Sequence, residues 1–359
     1  MDLVELSKLL TDRPVWNKNE FINRNEELSF LNNLVEKYKG SILGVAGERG
    51  VGKTSFFNVW EHDKIIARIM NRENPYTILS DLCLVLADKL GKKYENIVKE
   101  IGVDLRASIG INPSIDIGLI EKAPAFRKAV FTLKKYLDKE GDVVIILDEI
   151  DKERKEELIK IVDAIKYAFE STNTTLIVAL PPVIHSEYLL GKASLIDTPN
   201  LENIFAYMFE LQPLSPSTLI SIVEQRAGSL IDLIDEEALV MAVEYASGNP
   251  RQVLSVLREA TLFATSKITK KDVEGVIRKY LRVFLGHLNL SEKEKMLLIN
   301  YVEHWDEFIK RINKLGVFKN KTAIYTYIQR LEKKSIMKRD GKKLLLHPKI
   351  KIAFQMRMI

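Results

Sequence analysis

Cysteine is nearly absent: Cys83 is the only one in 359 residues. A single thiol forms no internal disulfide and builds no cysteine zinc site, so a reducing, cytoplasmic setting is expected. Long apolar runs are missing too. None approaches the roughly 18 residues that span a bilayer, and no membrane partner is expected. The first residues, Met1-Asp2-Leu3-Val4-Glu5, carry acid and no base, which argues against a secretory leader. Glutamine is scarce beside lysine, glutamate and isoleucine, a bias that leans towards a thermophile. No internal repeat and no low-complexity tract is found.

What is present suits a folded protein. Hydrophobic residues make up 46% of the chain, enough for packed cores and too many for a disordered one. The length predicts two or three domains. The net charge of +5 conceals an uneven distribution. Residues 282–359 hold 18 Lys+Arg and 7 Asp+Glu, a balance of +11, which leaves −6 for residues 1–281. An acidic body with a basic end suggests an anionic partner at that end; a solvated, lysine-rich surface is the plainer alternative.

Residues 1–40 are mostly helical in pattern, with Leu28, Leu31, Leu34 and Val35 at helical spacing. Apolar strands are expected at 42–45, 65–70, 143–147, 176–180 and 208–211, with helices at 53–60, 77–90, 124–139 and from the acidic pair to about Phe169. Val143 to Leu147 is apolar throughout and mostly β-branched, as in a strand buried on both faces. The alternation predicts a parallel-sheet, doubly wound α/β domain. Alternating isoleucines around Asn112-Pro113 predict a hairpin over 107–120, packed on its own domain. After Pro213 no strand is expected before residue 290. Helices fit 216–227, 235–246, 250–264 and 269–281, with Asp235 and Thr269 as N-caps. Further helices fit 291–301, 305–314 and 321–334, and Asp340-Gly341 predicts a hairpin between 336–339 and 343–346. The expected domains are 1–213, 214–284 and 285–359.

Gly47-Glu48-Arg49-Gly50-Val51-Gly52-Lys53-Thr54 matches G-x-x-x-x-G-K-[ST] in full, between an expected strand and helix. Glycines let the backbone curl until successive N–H groups face one point, and the helix N-terminus adds partial positive charge. Lys53 reaches the β- and γ-phosphates of a nucleotide, and Thr54, followed by Ser55, places a hydroxyl for Mg²⁺. The second half of such a site is an acid closing a buried strand. Asp148-Glu149 supplies it: Asp148 for Mg²⁺, Glu149 to take a proton from the attacking water. ATP or ADP with Mg²⁺ is therefore the expected cofactor set.

Together the phosphate loop, Asp148-Glu149 and the following all-helical segment resemble an AAA+ ATPase. Phe21-Ile22-Asn23-Arg24-Asn25-Glu26-Glu27-Leu28 resembles the N-terminal box of the origin-recognition initiator branch, which includes archaeal replication initiators and related archaeal P-loop ATPases. The resemblance implies that Phe21 and Ile22 lie beside the adenine. It implies that Gly248-Asn249-Pro250-Arg251 opens a helix of a helical lid and that Arg251 touches the γ-phosphate. An arginine at a helix start also suits a phosphate on electrostatic grounds alone. Residues 288–359 resemble a winged helix. Ile324, Ile328 and Leu331 would face its core, leaving Thr322, Tyr325, Thr326, Gln329, Arg330 and Lys333 outward on a recognition helix. Lys338, Arg339, Lys342 and Lys343 would form a basic wing along a phosphate backbone. Double-stranded DNA is the expected partner.

Two family features are missing. The fourth expected strand ends Leu180-Pro181-Pro182, without the polar sensor-one residue; Asn173-Thr174-Thr175 lie at its other end. No arginine occurs between Ser186 and Gln225, where an arginine finger is usual. Slow hydrolysis follows, with a monomer or weak self-association, and a nucleotide-gated DNA-binding switch rather than a ring motor. The alternative is a STAND-type signalling ATPase whose winged helix reads a protein partner.

Overall fold

Mostly apolar runs of four to seven residues form five strands: β1 (Ile42–Ala46), β2 (Lys64–Arg68), β3 (Val143–Asp148), β4 (Thr174–Leu180) and β5 (Tyr207–Glu210). In this computed structural model, which describes residues 2–69, 75–99, 124–150, 155–192 and 201–359, they make one parallel sheet in the order β2-β3-β4-β1-β5. The hairpin expected over 107–120 lies outside the described residues. β1 and β4 are buried along their whole length. Helices Pro75–Leu90, Pro124–Leu137, Lys155–Lys166 and Pro182–Lys192 cover one face. Helices Asn25–Lys37 and Lys53–Val59 cover the other, which explains why the central strands need no polar side.

β4 starts two residues earlier than its apolar run. Thr174 and Thr175 pair with Val143 and Val144 and are buried, because a β-branched threonine continues a strand as readily as valine does. Gly44 in the middle of β1 has a steric purpose: a Cβ there would stand 2.7 Å from both Leu180 Cδ1 and Met208 Cγ.

The chain divides into two compact units, residues 13–213, which hold this sheet, and residues 1–12 with 214–359. The second unit begins with helices Pro216–Ala227, Glu236–Ala246, Pro250–Ala260 and Lys270–His287. Leu6 and Leu10, at the end of the N-terminal helix Asp2–Leu9, are fully buried in the core of these four. Thr269 caps the last of them, its backbone N–H donating to the Asp272 carboxylate at 2.9 Å. That helix runs six residues past its expected end, and Phe284 and Leu285 pack against both this core and the next.

The next core gathers helices Glu292–Ile299, Trp305–Lys314 and Lys321–Lys333 with the hairpin β6 (Met337–Asp340) and β7 (Lys343–Leu346). His304 bridges to Lys343 and adds a third short edge to the hairpin. A final helix, Pro348–Gln355, returns Ala353 and Met356 to the four-helix core. No described helix is long and apolar enough to cross a membrane.

Candidate functional site

The order of strands brings the two chemical motifs to one edge. β1 leads into the glycine loop and β3 ends on Asp148, and both flank β4. Ala46 is level with Leu180 across one pairing, and Leu147 with Val178 across the other. Gly47 and Asp148 therefore leave the sheet at the same carboxyl edge, one strand apart. Glu48 and Arg49 at the loop's crest are exposed, whereas Val51 is buried in the core. Gly50 and Gly52 hold φ of 89° and 108°, a left-handed backbone that residues with a Cβ rarely adopt. Lys53 opens the following helix and is 7% exposed. Its Nζ donates to the Gly47 carbonyl at 2.6 Å and to the Glu48 carbonyl at 3.3 Å, so the ammonium is folded back over the loop it follows. Thr54, next on the helix, is half-buried. The Ser55 hydroxyl accepts the Val15 backbone N–H at 3.0 Å, which ties the N-terminal lead-in to this helix.

Asp148 is 2% exposed, and its Oδ1 accepts the Glu149 N–H at 2.9 Å. Glu149 sits at φ 69°, a left-handed backbone unusual for a residue with a side chain. The turn that produces it lifts Glu149 to half-burial just past the sheet edge. A buried carboxylate thus stands beside a half-exposed one at the end of the strand.

Arg24 was not singled out by its sequence context, yet it is the most enclosed cation of this site, 3% exposed. Its Nη2 donates to the carbonyls of Val51, within the phosphate loop, at 3.1 Å, and of Gln212, just after β5, at 2.9 Å. Its Nη1 pairs with Glu27 at 3.0 Å. Burial holds its guanidinium below the usual range against the pull of Glu27. Phe21 and Ile22, three and two residues upstream, are half-buried, and Phe21 packs against the core that contains Val51. The N-terminal box and the phosphate loop are thus held by one side chain.

Arg251 lies in the second unit, at the start of helix Pro250–Ala260. Asn249 caps that helix by accepting the Gln252 N–H at 3.3 Å. The Arg251 Nε stands 3.6 Å from Asp12, and Arg258 Nη1 reaches the other oxygen of the same carboxylate at 3.1 Å.

Comparison with protein-family models matches residues 67–253, about half of the chain, to the KAP family P-loop domain. The chain belongs to the KAP P-loop family. The matched span contains Asp148-Glu149 and Gly248 to Arg251 and begins after the glycine loop, which carries its own signature. Among solved structures, the KAP-family chain is similar to a Walker-type ATPase of Pyrococcus abyssi at 15% identity, with 97% of this chain and 99% of that one covered and a TM-score of 0.60. It is also similar to the Aeropyrum pernix Orc1 protein in complex with DNA, at 16% identity, 98% coverage of each chain and a TM-score of 0.50. At such identities the likeness is one of fold. No curated protein matches the sequence.

In this KAP-family protein all ten side chains expected to face a nucleic acid are exposed: Thr322, Tyr325, Thr326, Gln329, Arg330, Lys333, Lys338, Arg339, Lys342 and Lys343. Some have local partners. Thr326 donates to the Thr322 carbonyl at 3.0 Å, Lys343 pairs with Glu303 at 3.4 Å, and Arg330 lies 4.9 Å from the Tyr327 ring. Ile324, Ile328 and Leu331 on the opposite side of the same helix are buried, so the 3.6-residue period separates the two sets.

Proposed function

We propose that this KAP-family protein is a slowly hydrolysing ATPase that acts as a nucleotide-gated, initiator-like DNA-binding switch in the cytoplasm. The reading rests first on the complete phosphate loop and Asp148-Glu149 meeting at one sheet edge within one unit. Residues 13–213 are read as the nucleotide-binding domain; residues 1–12, expected with it, pack instead on the helices of 214–284, read as a helical lid, and 285–359 are read as a winged helix. Support for the last comes from three helices followed by a two-stranded hairpin, with a basic outward face.

The donors at the edge fit Mg²⁺: the Thr54 hydroxyl and the buried Asp148 carboxylate are hard oxygen ligands, and no thiol or imidazole is among them. When bound, Mg²⁺ neutralises charge on the β- and γ-phosphates. Lys53 exchanges the Gly47 and Glu48 carbonyls for phosphate oxygens, while the N–H groups of residues 47–54, with Ser55 behind them, cradle the chain of phosphates. Phe21 and Ile22 pack on the adenine. Glu149 accepts the proton of the attacking water. Arg251 carries nucleotide state to the second unit by exchanging Asp12 for phosphate. A monomer or weak self-association agrees with the missing arginine finger.

An anisotropy titration of the full chain with random duplex DNA, at two salt concentrations and with ATP or ADP, tests the reading. Affinity should depend on the nucleotide and fall with salt by several counterions in log–log slope. Glu149→Gln should retain ATP. Turnover of many per second would overturn the slow switch. Duplex affinity indifferent to salt and nucleotide would leave the STAND-type reading, in which the winged helix meets a protein.

A further inference from the structure

A groove of about 590 Å³ opens between helices Trp305–Lys314 and Lys321–Lys333, apart from the wing and from most of the outward face of the second helix. Trp305 and Tyr325 line it, with ring centroids 5.5 Å apart. Around them stand Lys310, Lys314 and Lys321, all exposed, with Asp306 as the one carboxylate of the lining. Asp306, Lys310 and Lys314 follow a four-residue spacing and so share one stripe of their helix. Lys321 opens the facing helix.

These three lysines, like Lys333, Lys338 and Lys342 of the proposed DNA face, are not neutralised by a neighbouring carboxylate among the described residues. Lys270, Lys279, Lys295, Lys334 and Lys343 each have a carboxylate within 4 Å. Lys310, Lys314 and Lys321 form no ion pair among the described residues, not even with Asp306 in the same groove. Three unneutralised ammonium groups against one carboxylate, in a concavity lined by two aromatic rings, give a polyanion a focused positive field. The track continues beyond the groove. The Arg339 guanidinium lies 4.0 Å from the Trp305 ring, and its Nε donates to the Gly341 carbonyl at 3.0 Å. Trp305, 6% exposed, is thus shared by the groove and the hairpin.

We propose that this groove is a second phosphate-backbone site for double-stranded DNA, in which Lys310, Lys314 and Lys321 contact successive phosphates flanking the segment met by the recognition helix and wing. The proposal rests on the DNA-binding reading above and extends the footprint to three lysines outside the ten residues already assigned, in a groove that shares Tyr325 with them. Lysine suits the task, because a flexible stem with a point charge follows a backbone without demanding a base sequence. The two rings line the groove, and the three lysines stand exposed around it.

The test compares three full-length proteins by duplex anisotropy across a salt series. They are the wild type, the triple variant Lys310→Gln/Lys314→Gln/Lys321→Gln, and the wing pair Lys342→Gln/Lys343→Gln. The three groove lysines are exposed and unpaired, so the triple variant should melt with the wild type and bind nucleotide unchanged. Its slope of log affinity against log salt should fall by about 3, and duplex affinity at 0.15 M salt should drop roughly a hundredfold. A wild-type slope and affinity in the triple variant, alongside weakened binding in the wing pair, would overturn the groove and leave the DNA reading standing. No duplex binding by the wild type overturns both. Loss of polyglutamate binding in the triple variant, with duplex binding retained, assigns the groove to an acidic polypeptide and likewise overturns the proposal.

Discussion

The two units treat charge in opposite ways. Among the described residues of the α/β unit the buried charged side chains are Arg24, Lys53 and Asp148; Lys53 and Asp148 lie on the glycine loop and the sheet edge, and Arg24 donates to the loop. In the helical unit the buried charge is Glu294, which serves the fold. It accepts the Ser291 N–H at 2.7 Å and pairs with Lys334 at 3.1 Å. Burial pushes its carboxyl up, but the Ser291 backbone and Lys334 outweigh that and hold it below the usual range. The other charged side chains of that unit are exposed or half-buried. Buried charge concentrates at the edge proposed to hold nucleotide phosphates, and exposed charge on the face proposed to meet duplex DNA.

Four measurements would sharpen or break that contrast. Lys53→Ala should have the largest effect, lowering nucleotide affinity by two orders of magnitude or more in a fluorescent-nucleotide titration while sparing duplex binding in nucleotide-free buffer. Arg24→Ala leaves two carbonyls, of Val51 and Gln212, without a buried donor. At about 1–3 kcal/mol for each unsatisfied group, urea unfolding of the α/β unit should move by several kcal/mol, with weakened nucleotide binding; an unchanged midpoint would remove Arg24 from the loop's support.

Asp12→Ala should be smaller. The pairs it breaks are more than a third exposed on the arginine side, so stability should shift by less than about 1 kcal/mol. Freed of Asp12, Arg251 should favour ATP over ADP by severalfold. The smallest effect concerns pH. Burial, with Lys349 adjacent, holds His347 below its usual range, and its Nδ1 accepts the Lys349 N–H at 3.2 Å. The neutral ring is favoured in the folded state, so its contribution is complete above about pH 6.5 and is lost as pH falls through the lower folded value. Thermal melts from pH 7.5 to 5 should drop by a few degrees more in the wild type than in His347→Asn, whose cap does not titrate.

Much of this was legible in one dimension because it is local. The phosphate loop declares itself by spacing, and Val143 to Leu147 announces a buried strand by composition. Asp340-Gly341 marks its hairpin, and the start of helix Pro250–Ala260 is written in Asn249-Pro250. Features that depend on distant contacts were hidden. Arg24 sits in a box whose resemblance assigns roles to Phe21 and Ile22 alone, and its partners Val51 and Gln212 lie far along the chain. The place of β4 between β1 and β3 is set by packing rather than by any residue of β4. Leu6 and Leu10 look like the ends of any amphipathic helix, and nothing near them in sequence points to the core around Leu219 and Val253. The groove at Trp305 combines residues from two helices, each unremarkable alone.

Helix Lys270–His287 has a mechanical meaning. Eighteen residues at about 1.5 Å each make a rod of about 27 Å, gripped at one end by the four-helix core and lodged by Phe284 and Leu285 in the next. Because the returning helix Pro348–Gln355 also packs into the first core, the two are joined twice, as by a beam and a brace. Two joints resist bending between the cores where one would act as a hinge. A turn of the four-helix core would then be expected to carry the basic hairpin with it, the arm widening its sweep.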